Sequence, residues 1–254
     1  MTEAEAPTAA VLLIGNEILS GRTQDANLNY LARQLAVLGI RLRESRVVVD
    51  EEGAIVEALN ALRARYSYVF TTGGIGPTHD DITSECISKA FGREHAIHPE
   101  AHRILAAYYA ESGREFNAAR LRMAHMPEGA SLLENKVSRA PGFRIENVYV
   151  MAGIPAVMRA MFEAAVPTLK TGPAVRARAI ATFLPEGEIA KGLGELQARF
   201  NALEIGSYPF VRDGKIGTTL VLRGTDGPLI DQAAGDLIAL IRSLGATPIE
   251  EEGA

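Results

Sequence analysis

The sequence predicts an α/β protein in which a mostly parallel sheet lies between two layers of helices, followed by a small α+β domain. Short apolar runs alternate with amphipathic helical patterns from residue 9 to residue 165. Strands that alternate with helices of about 10–15 residues pair in parallel through right-handed crossovers, and the helices cover both sheet faces. The stretch "LKTGPAV" (169–175) is typical of a linker. We therefore expect two domains, at residues 8–170 and 173–254.

The first domain is predicted to contain four strands, each followed by a helix. The strands are the apolar runs at 9–15, 40–50, 66–74 and 147–153. The helices are the amphipathic segments at 26–39, 52–65, 81–92 and 154–165. Residues 93–146 begin with a helical pattern and continue as an irregular segment rich in proline and glycine, which we expect to form an insertion or a lid.

The second domain shows the pattern β-α-β-β-α. Its predicted strands lie at 175–184, 204–210 and 217–224, and its predicted helices at 186–200 and 231–245. In "TTLVLR", Leu220 and Leu222 alternate with polar or smaller residues, which indicates a half-buried antiparallel strand with one face on the helices. Because its strands carry few acidic or histidine side chains, we expect this domain to serve in assembly or as a lid.

Composition is that of a soluble globular protein with no membrane or nucleic-acid partner. The 254 residues are 47% hydrophobic and 22% charged, with a formal net charge of −5. A general nucleic-acid binder would carry a basic stripe, and no apolar run approaches the roughly 18 residues that cross a bilayer. The acidic start "MTEAEAPTAA" lacks the basic region of a secretory signal, so we expect a short frayed tail.

The single cysteine predicts the compartment. Cys86 cannot form an internal disulfide, which fits a reducing cytoplasm. It lies beside Ile87 in a predicted helix, and this position favours a buried, inert thiol over a nucleophile.

The segment "TTGGIGPTHDD" (71–81) connects a predicted strand to a helix. Backbone N–H groups of Gly73, Gly74 and Gly76 can converge on an anion, with a helix N-terminus behind them. Two interpretations of the acidic pair that follows remain open. Asp80 or Asp81 could cap the helix, or the two carboxylates could belong to a magnesium site, because a cap needs only one carboxylate.

Two further polar segments follow predicted strands. "GNEILSGRTQDANLNYL" (15–31) holds more polar side chains than a plain turn requires, and Asp25 in it is a plausible cap of the following helix. Asp50 closes the second strand, where capping and catalytic roles are equally plausible. In parallel sheets, ligands bind at the carboxyl ends of the strands. The three polar segments therefore predict one common site.

The histidines indicate no metal centre. His95, His98 and His102 are spaced by three and four residues, but Pro99 interrupts the pattern, so a hydrated surface is favoured over a zinc site. His125 in "MAHMPEGA" has no partner that the sequence identifies.

The segments "GNEILSGRTQDANLNYLARQLAVLG", "TTGGIGPTHDDIT", "MAHMPEGASLLEN", "APGF" and "GSYPF" together resemble the molybdopterin-binding MoaB/Mog family. The similarity is greatest to the amino-terminal domain of the competence/damage-inducible protein A (CinA) group, and it spans residues 9 to 245. No segment resembles the carboxy-terminal amidase domain of that group, so nicotinamide-nucleotide deamidation is not implied.

The resemblance implies a three-layer fold whose Gly-rich loop receives a pterin or nucleotide phosphate. It places the catalytic acids at Asp50 and Asp81. The expected phosphate- and substrate-binding residues are Asn16, Glu17, Asn27, Thr72, Gly73, Gly74, Gly76, Pro77, Thr78, Gly153 and Pro155. The expected ligands of a divalent metal, magnesium or similar, are Asp80, Asp81 and Glu17.

The chain departs from the pattern of these relatives at residues that we expect to form the rim of the site. Lys136 and Ser138 stand in "NKVSRAPGF" where many relatives have "NPVGSAPGF". Ala152 and Val157 stand in "MAGIPAVM" where relatives have "LPGVPREM". The identity of the substrate therefore does not follow from the resemblance.

Three functions are compatible with these residues. The first is metal-dependent hydrolysis of a nucleotide pyrophosphate such as ADP-ribose or the dinucleotide FAD. The second is a Mog-like adenylyl transfer to molybdopterin, and the third is a molybdopterin- or nucleotide-binding module without turnover. In each case we expect a small-molecule nucleotide or pterin ligand and a homo-oligomer, either a dimer or a trimer.

Overall fold

The computed structural model describes residues 6–251. The first five residues, which are half of the expected frayed tail, lie outside this range. The chain divides into two compact units between Gly172 and Pro173.

The first unit alternates strands and helices, as expected. Its elements are, in chain order, β1 (Thr8–Ile14), α1 (Asn16–Leu19), α2 (Asn27–Val37), β2 (Arg41–Val48), α3 (Glu52–Arg65), β3 (Tyr68–Thr72), α4 (Thr83–Phe91), β4 (His95–Ile97), α5 (Pro99–Glu111), α6 (Ala118–Leu121), β5 (His125–Pro127), β6 (Ser131–Leu133), β7 (Gly142–Ile145), β8 (Val148–Met151) and α7 (Pro155–Ala165). Short 3₁₀ turns occupy Arg122–Ala124 and Val166–Thr168.

The main sheet has six strands in the order β2-β1-β3-β8-β7-β6. The first four strands are parallel, with β1 between β2 and β3, and β3 next to β8. The last two strands, β7 and β6, are antiparallel. A central parallel strand is covered on both faces and therefore consists almost entirely of apolar residues, as β1 does with "TAAVLLI".

Side chains of β1 alternate between two hydrophobic cores. Ala10, Leu12 and Ile14 pack with α3, α4 and α5 on one face of the sheet. Ala9, Val11 and Leu13 pack with α2 and α7 on the other face. This alternation is the two-residue period of a strand, and it confirms the expected three-layer α/β/α architecture.

The segment 93–146 differs from the expected insertion or lid. Its last part supplies β6 and β7, which extend the main sheet, and β4 and β5 form a separate two-stranded ribbon. These strands have only three or four residues each. Strands this short contain too few side chains to show a period, so the sequence pattern did not reveal them.

The second unit is an antiparallel sheet with helices on one face. Its elements are β9 (Arg176–Thr182), α8 (Glu186–Arg199), β10 (Glu204–Arg212), β11 (Lys215–Gly224), α9 (Gly227–Ser243) and β12 (Ile249–Glu251), and the strand order is β10-β11-β9-β12. Leu220 and Leu222 are fully buried against α8 and α9. This confirms the half-buried strand expected from "TTLVLR", whereas β12 was not anticipated.

Two properties of the helices bear on the earlier expectations. No helix within residues 6–251 is long and apolar enough to cross a membrane. In α4, Cys86 is buried, and its burial, with the Glu52 carboxylate nearby, raises the pKa of the thiol to about 11. The prediction of a buried thiol is confirmed, and the raised pKa disfavours thiolate, which is the reactive form.

Candidate functional site

The loops that follow the four parallel strands meet at one edge of the sheet. The Gly15 N–H donates to the Val48 carbonyl at 3.1 Å, which joins the ends of β1 and β2. The Gly73 N–H donates to the Met151 carbonyl at 3.1 Å, which joins the ends of β3 and β8. The polar segments expected to share a site therefore do lie at the same edge.

Asp50 holds the loop after β1 rather than capping a helix. Its Oδ2 accepts a hydrogen bond from the Asn16 N–H at 2.8 Å. The residue at the N-cap of α3 is Glu51, and no side chain in the described range caps that helix. The capping interpretation of Asp50 is therefore wrong. A helix cap must lie next to the first turn, and Asp50 instead points across to the neighbouring strand's loop.

Asp25, by contrast, does satisfy the first turn of α2. Its two carboxylate oxygens accept from the N–H groups of Asn27 at 3.2 Å and Leu28 at 2.9 Å. The expected capping role is confirmed, although the helix formally begins one residue later than such a cap requires, with Ala26 at the N-cap.

The first two glycines of the Gly-rich loop are required by the loop's own packing. Gly73 has φ 106°, and a Cβ there would lie 2.1 Å from the Ile14 carbonyl oxygen. Gly74 has φ 67°, and a Cβ there would lie 2.1 Å from Thr83 Oγ1. Both backbone conformations favour glycine. These positions thus bring β3 close to β1 and to the start of α4.

Three successive amides of this loop are free to bind an anion. The N–H groups of Gly74, Ile75 and Gly76 donate to no other group within residues 6–251. They precede α4, whose N-terminus carries partial positive charge. Consecutive unpaired amides in front of a helix are the arrangement that binds phosphate in many nucleotide sites.

The acidic pair after the glycines does not cap α4. Asp81 Oδ2 accepts from the Thr78 N–H at 2.8 Å and from the Thr78 hydroxyl. The N-cap of α4 is Ile82, with no side-chain cap in the part of the chain that the structure describes. The capping interpretation of Asp80 and Asp81 is therefore wrong, because the carboxylate of Asp81 turns back onto its own loop. Its Oδ1 has no partner among residues 6–251.

A small cavity of about 60 Å³ lies on the β8 side of the loop. Five of the expected binding residues line it, namely Glu17, Asn27, Thr72, Gly153 and Pro155. The Asn27 side-chain amide donates to the Gly153 carbonyl at 2.8 Å. Its Oδ1 is buried and has no partner within the described range. A buried acceptor of this kind calls for a hydrogen-bond donor from a water or a ligand.

A larger cavity of about 370 Å³ lies on the other side of the loop. Two expected residues, Gly76 and Asp81, line it. Its other polar lining residues are Ser84, Glu85, His95, Arg122 and His125, and its apolar ones are Ile75, Met123, Met126, Pro141 and Phe143. Ligand pockets usually have about 300–1,000 Å³ and mostly apolar walls with a few polar groups. The volume of this cavity lies within that range, and its lining is about evenly divided between polar and apolar residues.

Sequence reasoning missed the polar side of the larger cavity. His95 and His125 were assigned to a hydrated surface or left without a partner, yet their rings lie 5.6 Å apart. The relevant signal was the similarity of "MAHMPEGA" and "APGF" to known proteins, to which no role was attached. The remaining expected residues, Asn16, Asp50, Gly73, Gly74, Pro77, Thr78 and Asp80, line neither cavity.

The three expected metal ligands are distributed over the site. Glu17 lines the small cavity, Asp81 lines the large one, and Asp80 lines neither. Residues 6–251 contain no group of three or more His, Cys, Asp or Glu side chains placed to hold a metal ion. Magnesium is usually held by one or two carboxylates together with phosphate oxygens of the substrate, so the magnesium expectation does not depend on such a group and stays a prediction.

The three-layer fold with a Gly-rich loop at the carboxyl edge of its sheet defines a class of α/β protein that binds small molecules at that edge. Residues 10–171, well over half of the chain, match the model of the family described as the probable molybdopterin binding domain. The chain belongs to this family, and the MoaB/Mog resemblance is confirmed.

Relatives extend the similarity to most of the chain. A protein from Pyrobaculum calidifontis is 37% identical over 212 residues, covering 80% of this chain and 81% of the relative. A CinA-like protein from Desulfosudis oleivorans is 33% identical over 205 residues, covering 76% of this chain and 49% of that protein. CinA from Thermoplasma acidophilum, whose crystal structure describes it as a protein of unknown function, has 30% sequence identity to this chain. The two structures superpose with a TM-score of 0.60 over 65% of this chain and 99% of that protein.

The second unit has a similarity of its own that sequence reasoning did not detect. Residues 174–248 match the model described as the middle domain of FAD synthase.

Proposed function

We propose that this protein hydrolyses the pyrophosphate bond of a nucleotide, with FAD or ADP-ribose as substrate. The observation that carries the proposal is the set of free amides at Gly74, Ile75 and Gly76 beside the carboxylate of Asp81. Fixed N–H donors aimed at a phosphate stabilise the negative charge that develops on phosphoryl oxygens during bond cleavage. A neighbouring carboxylate with a free oxygen can orient or deprotonate the attacking water.

Among nucleotides with a pyrophosphate bond, we favour FAD as the substrate because of a similarity found for the second unit. Its similarity is to a domain of FAD synthase, a protein named for a dinucleotide that contains a pyrophosphate bond. The large cavity next to Gly76 and Asp81 is of a size that suits one nucleoside of such a dinucleotide.

In the proposed reaction, water attacks one phosphorus of the pyrophosphate and the bridging P–O bond breaks. The products are AMP and the phosphate ester of the other half, with one proton released from water to the base and then to solvent. The loop amides bind the phosphoryl oxygens. Asp81 orients water, and Asp50 keeps the Asn16 loop in place through its 2.8 Å hydrogen bond. A magnesium ion held by Asp81 and the substrate phosphates would neutralise charge on the pyrophosphate.

A second candidate is adenylyl transfer to molybdopterin. Membership of the probable molybdopterin binding domain family favours it. The same loop would bind the phosphates, and the attacking group would be a pterin phosphate instead of water. A third candidate is a binding module without turnover, which requires only that the cavities bind a nucleotide or molybdopterin.

We further propose a cytoplasmic homo-oligomer, a dimer or a trimer. Apolar side chains on the β10–β11 hairpin are open to solvent, with Val211 70% and Ile216 59% exposed. Exposed apolar groups close together on a surface favour contact with another protein surface.

The discriminating experiment incubates the protein with ADP-ribose, FAD, NAD or ATP, each with magnesium, manganese, cobalt or a chelator, and measures released AMP. AMP from FAD or ADP-ribose without any pterin is the expected result, with none in the chelator. Product from ATP only when molybdopterin is added supports the adenylyltransferase. Binding with no product from any nucleotide contradicts both enzymatic proposals.

A further inference from the structure

We propose that the larger cavity binds the adenosine half of the substrate, and that His95 and His125 accept hydrogen bonds from the amino group of the base. The inference rests on the proposed function for its phosphate end, and it adds the identity of the group beyond that phosphate. It is carried by the tautomers that the surrounding hydrogen bonds impose on the two histidines.

The tautomer of His95 follows from Ser84. The Ser84 hydroxyl donates its only proton to the His125 carbonyl at 2.7 Å. Ser84 Oγ also lies 3.2 Å from His95 Nε2. Since the hydroxyl has no second proton, it must accept there, so His95 carries its proton on Nε2. The lone pair on Nδ1 of His95 is then an acceptor, and no group within residues 6–251 uses it.

The tautomer of His125 follows from the preceding turn. His125 Nδ1 lies 3.2 Å from the Leu121 carbonyl oxygen. A carbonyl oxygen only accepts, so Nδ1 carries a proton, and Nε2 is the acceptor of the neutral ring. Partial burial and the neighbouring His125 ring lower the pKa of His95. The lowered pKa favours the neutral form of His95, in which Nδ1 is an acceptor.

The cavity thus offers acceptors to the part of the ligand that enters it. The Glu85 carboxylate, held by Lys89 Nζ at 2.8 Å, adds further acceptor oxygens. A ligand that satisfies these groups must bring N–H or O–H donors, as the amino group of adenine and the hydroxyls of ribose do. The apolar lining residues, which include Met123, Met126 and Phe143, can pack against the flat faces of a purine.

Arg122 supplies the one cationic side chain of the lining. Its Nη2 donates to the Asp81 carbonyl at 3.2 Å, which fixes it beside the Gly-rich loop. It forms no ion pair with a carboxylate in the part of the chain described by the structure, so its charge is available. Arginine binds phosphate through several N–H groups at once. It is placed to contact the 5′-phosphate that joins the adenosine to the loop.

The test measures binding of AMP by calorimetry with magnesium present. AMP is a product, so binding is observed without turnover. The protein should bind AMP at least about fivefold more tightly than purine riboside 5′-monophosphate, which lacks the amino group, because an acceptor that the bound ligand covers without donating to it loses its hydrogen bond to water. It should also bind AMP more tightly than FMN. Equal affinities for AMP and the purine analogue, no measurable AMP binding, or tighter binding of FMN would overturn the inference.

Variants locate the binding site. His95→Phe keeps a ring and removes the acceptor, and we expect it to weaken AMP binding about tenfold. His102→Phe makes the same change at an exposed position of α5 outside the cavity and should leave AMP affinity unchanged. Unchanged affinity in His95→Phe would contradict the inference. AMP binding as expected without any hydrolysis would contradict the proposed function alone, and hydrolysis with no preference for AMP would contradict this inference alone.

Discussion

At the scale of single residues, the proposed hydrolysis depends most on Asp81. We expect Asp81→Asn to lower the rate of AMP release at least about a hundredfold, because the amide can still accept from Thr78 but cannot orient water or a cation as a carboxylate does. The thermal midpoint should stay within a few degrees of the unaltered protein. Release of AMP is followed by chromatography at saturating FAD.

Asp80→Asn is the matched control for this change. Asp80 is the exposed neighbour of Asp81 and lines neither cavity. It should retain activity within about threefold if Asp81 alone carries the chemistry. Equal losses in the two variants would show that net loop charge, and not the Asp81 carboxylate, is what the reaction needs.

Cys86 predicts a change of stability at high pH. Its folded pKa of about 11 lies above the ordinary value of 9.0. The resulting stabilisation is complete below pH 9 and is lost as the pH rises to 11, to a total on the order of 2 kcal/mol. The free energy of unfolding should therefore fall more steeply between pH 9 and pH 11 in the unaltered protein than in Cys86→Ala, as measured by urea titration. Parallel curves would contradict the burial of the thiol.

Sequence reasoning at this scale succeeded where a residue acts on its own neighbours in the chain. Asp25 binds amides two and three residues away, and a local pattern suffices to predict that. Asp50 and Asn16 are 34 residues apart, and Ser84 and His125 are 41 apart. Contacts of this kind exist only after the sheet has formed, so local polar patterns could not decide between the two roles of Asp50 and left His125 without a partner.

At the scale of elements, the Gly-rich loop fixes the start of α4. Gly74→Ala should lower the free energy of unfolding by clearly more than the roughly 1 kcal/mol that a left-handed alanine costs, because the new Cβ would also meet Thr83 Oγ1. Gly92→Ala is the matched control. Gly92 ends the same helix with φ 60°, and a Cβ there meets nothing within 4 Å. Urea titration of both variants gives the comparison, and equal losses would contradict the contact with Thr83.

Long elements were predictable and short ones were not. The helix expected at 52–65 is observed with those bounds, since its 14 residues show a full helical period. The strands β6 and β7 have three and four residues and belong to the sheet only through their partners. For the same reason, the expected lid at 93–146 proved to contain part of the main sheet and one wall of the larger cavity.

At the scale of the whole molecule, each unit has its own hydrophobic core. The two cores of the first unit and the single core of the second are formed from separate sets of residues. A chain ending after Gly172 should therefore fold, and it should keep the bonds that Leu38 and Tyr68 make with residues 170–172. By light scattering we expect it to have fewer subunits than the full chain. The same subunit number in both would contradict an assembly role for the second unit.

The order of the layers was predictable because alternating strands and helices leave few topologies. The reaction that the site performs was less predictable from the sequence. A Gly-rich loop with nearby carboxylates serves hydrolysis, transfer and simple binding alike, and the sequence pattern is the same in each case.

The central claim is that water attacks the pyrophosphate of a nucleotide bound at the Gly-rich loop. The most direct measurement is the hydrolysis of FAD in water enriched in oxygen-18, with mass spectrometry of both products. We predict AMP and FMN in equal amounts, with one oxygen-18 atom incorporated for each bond cleaved. Products that form without the label, or FAD and ADP-ribose that both stay intact after prolonged incubation with each divalent metal, would contradict the claim.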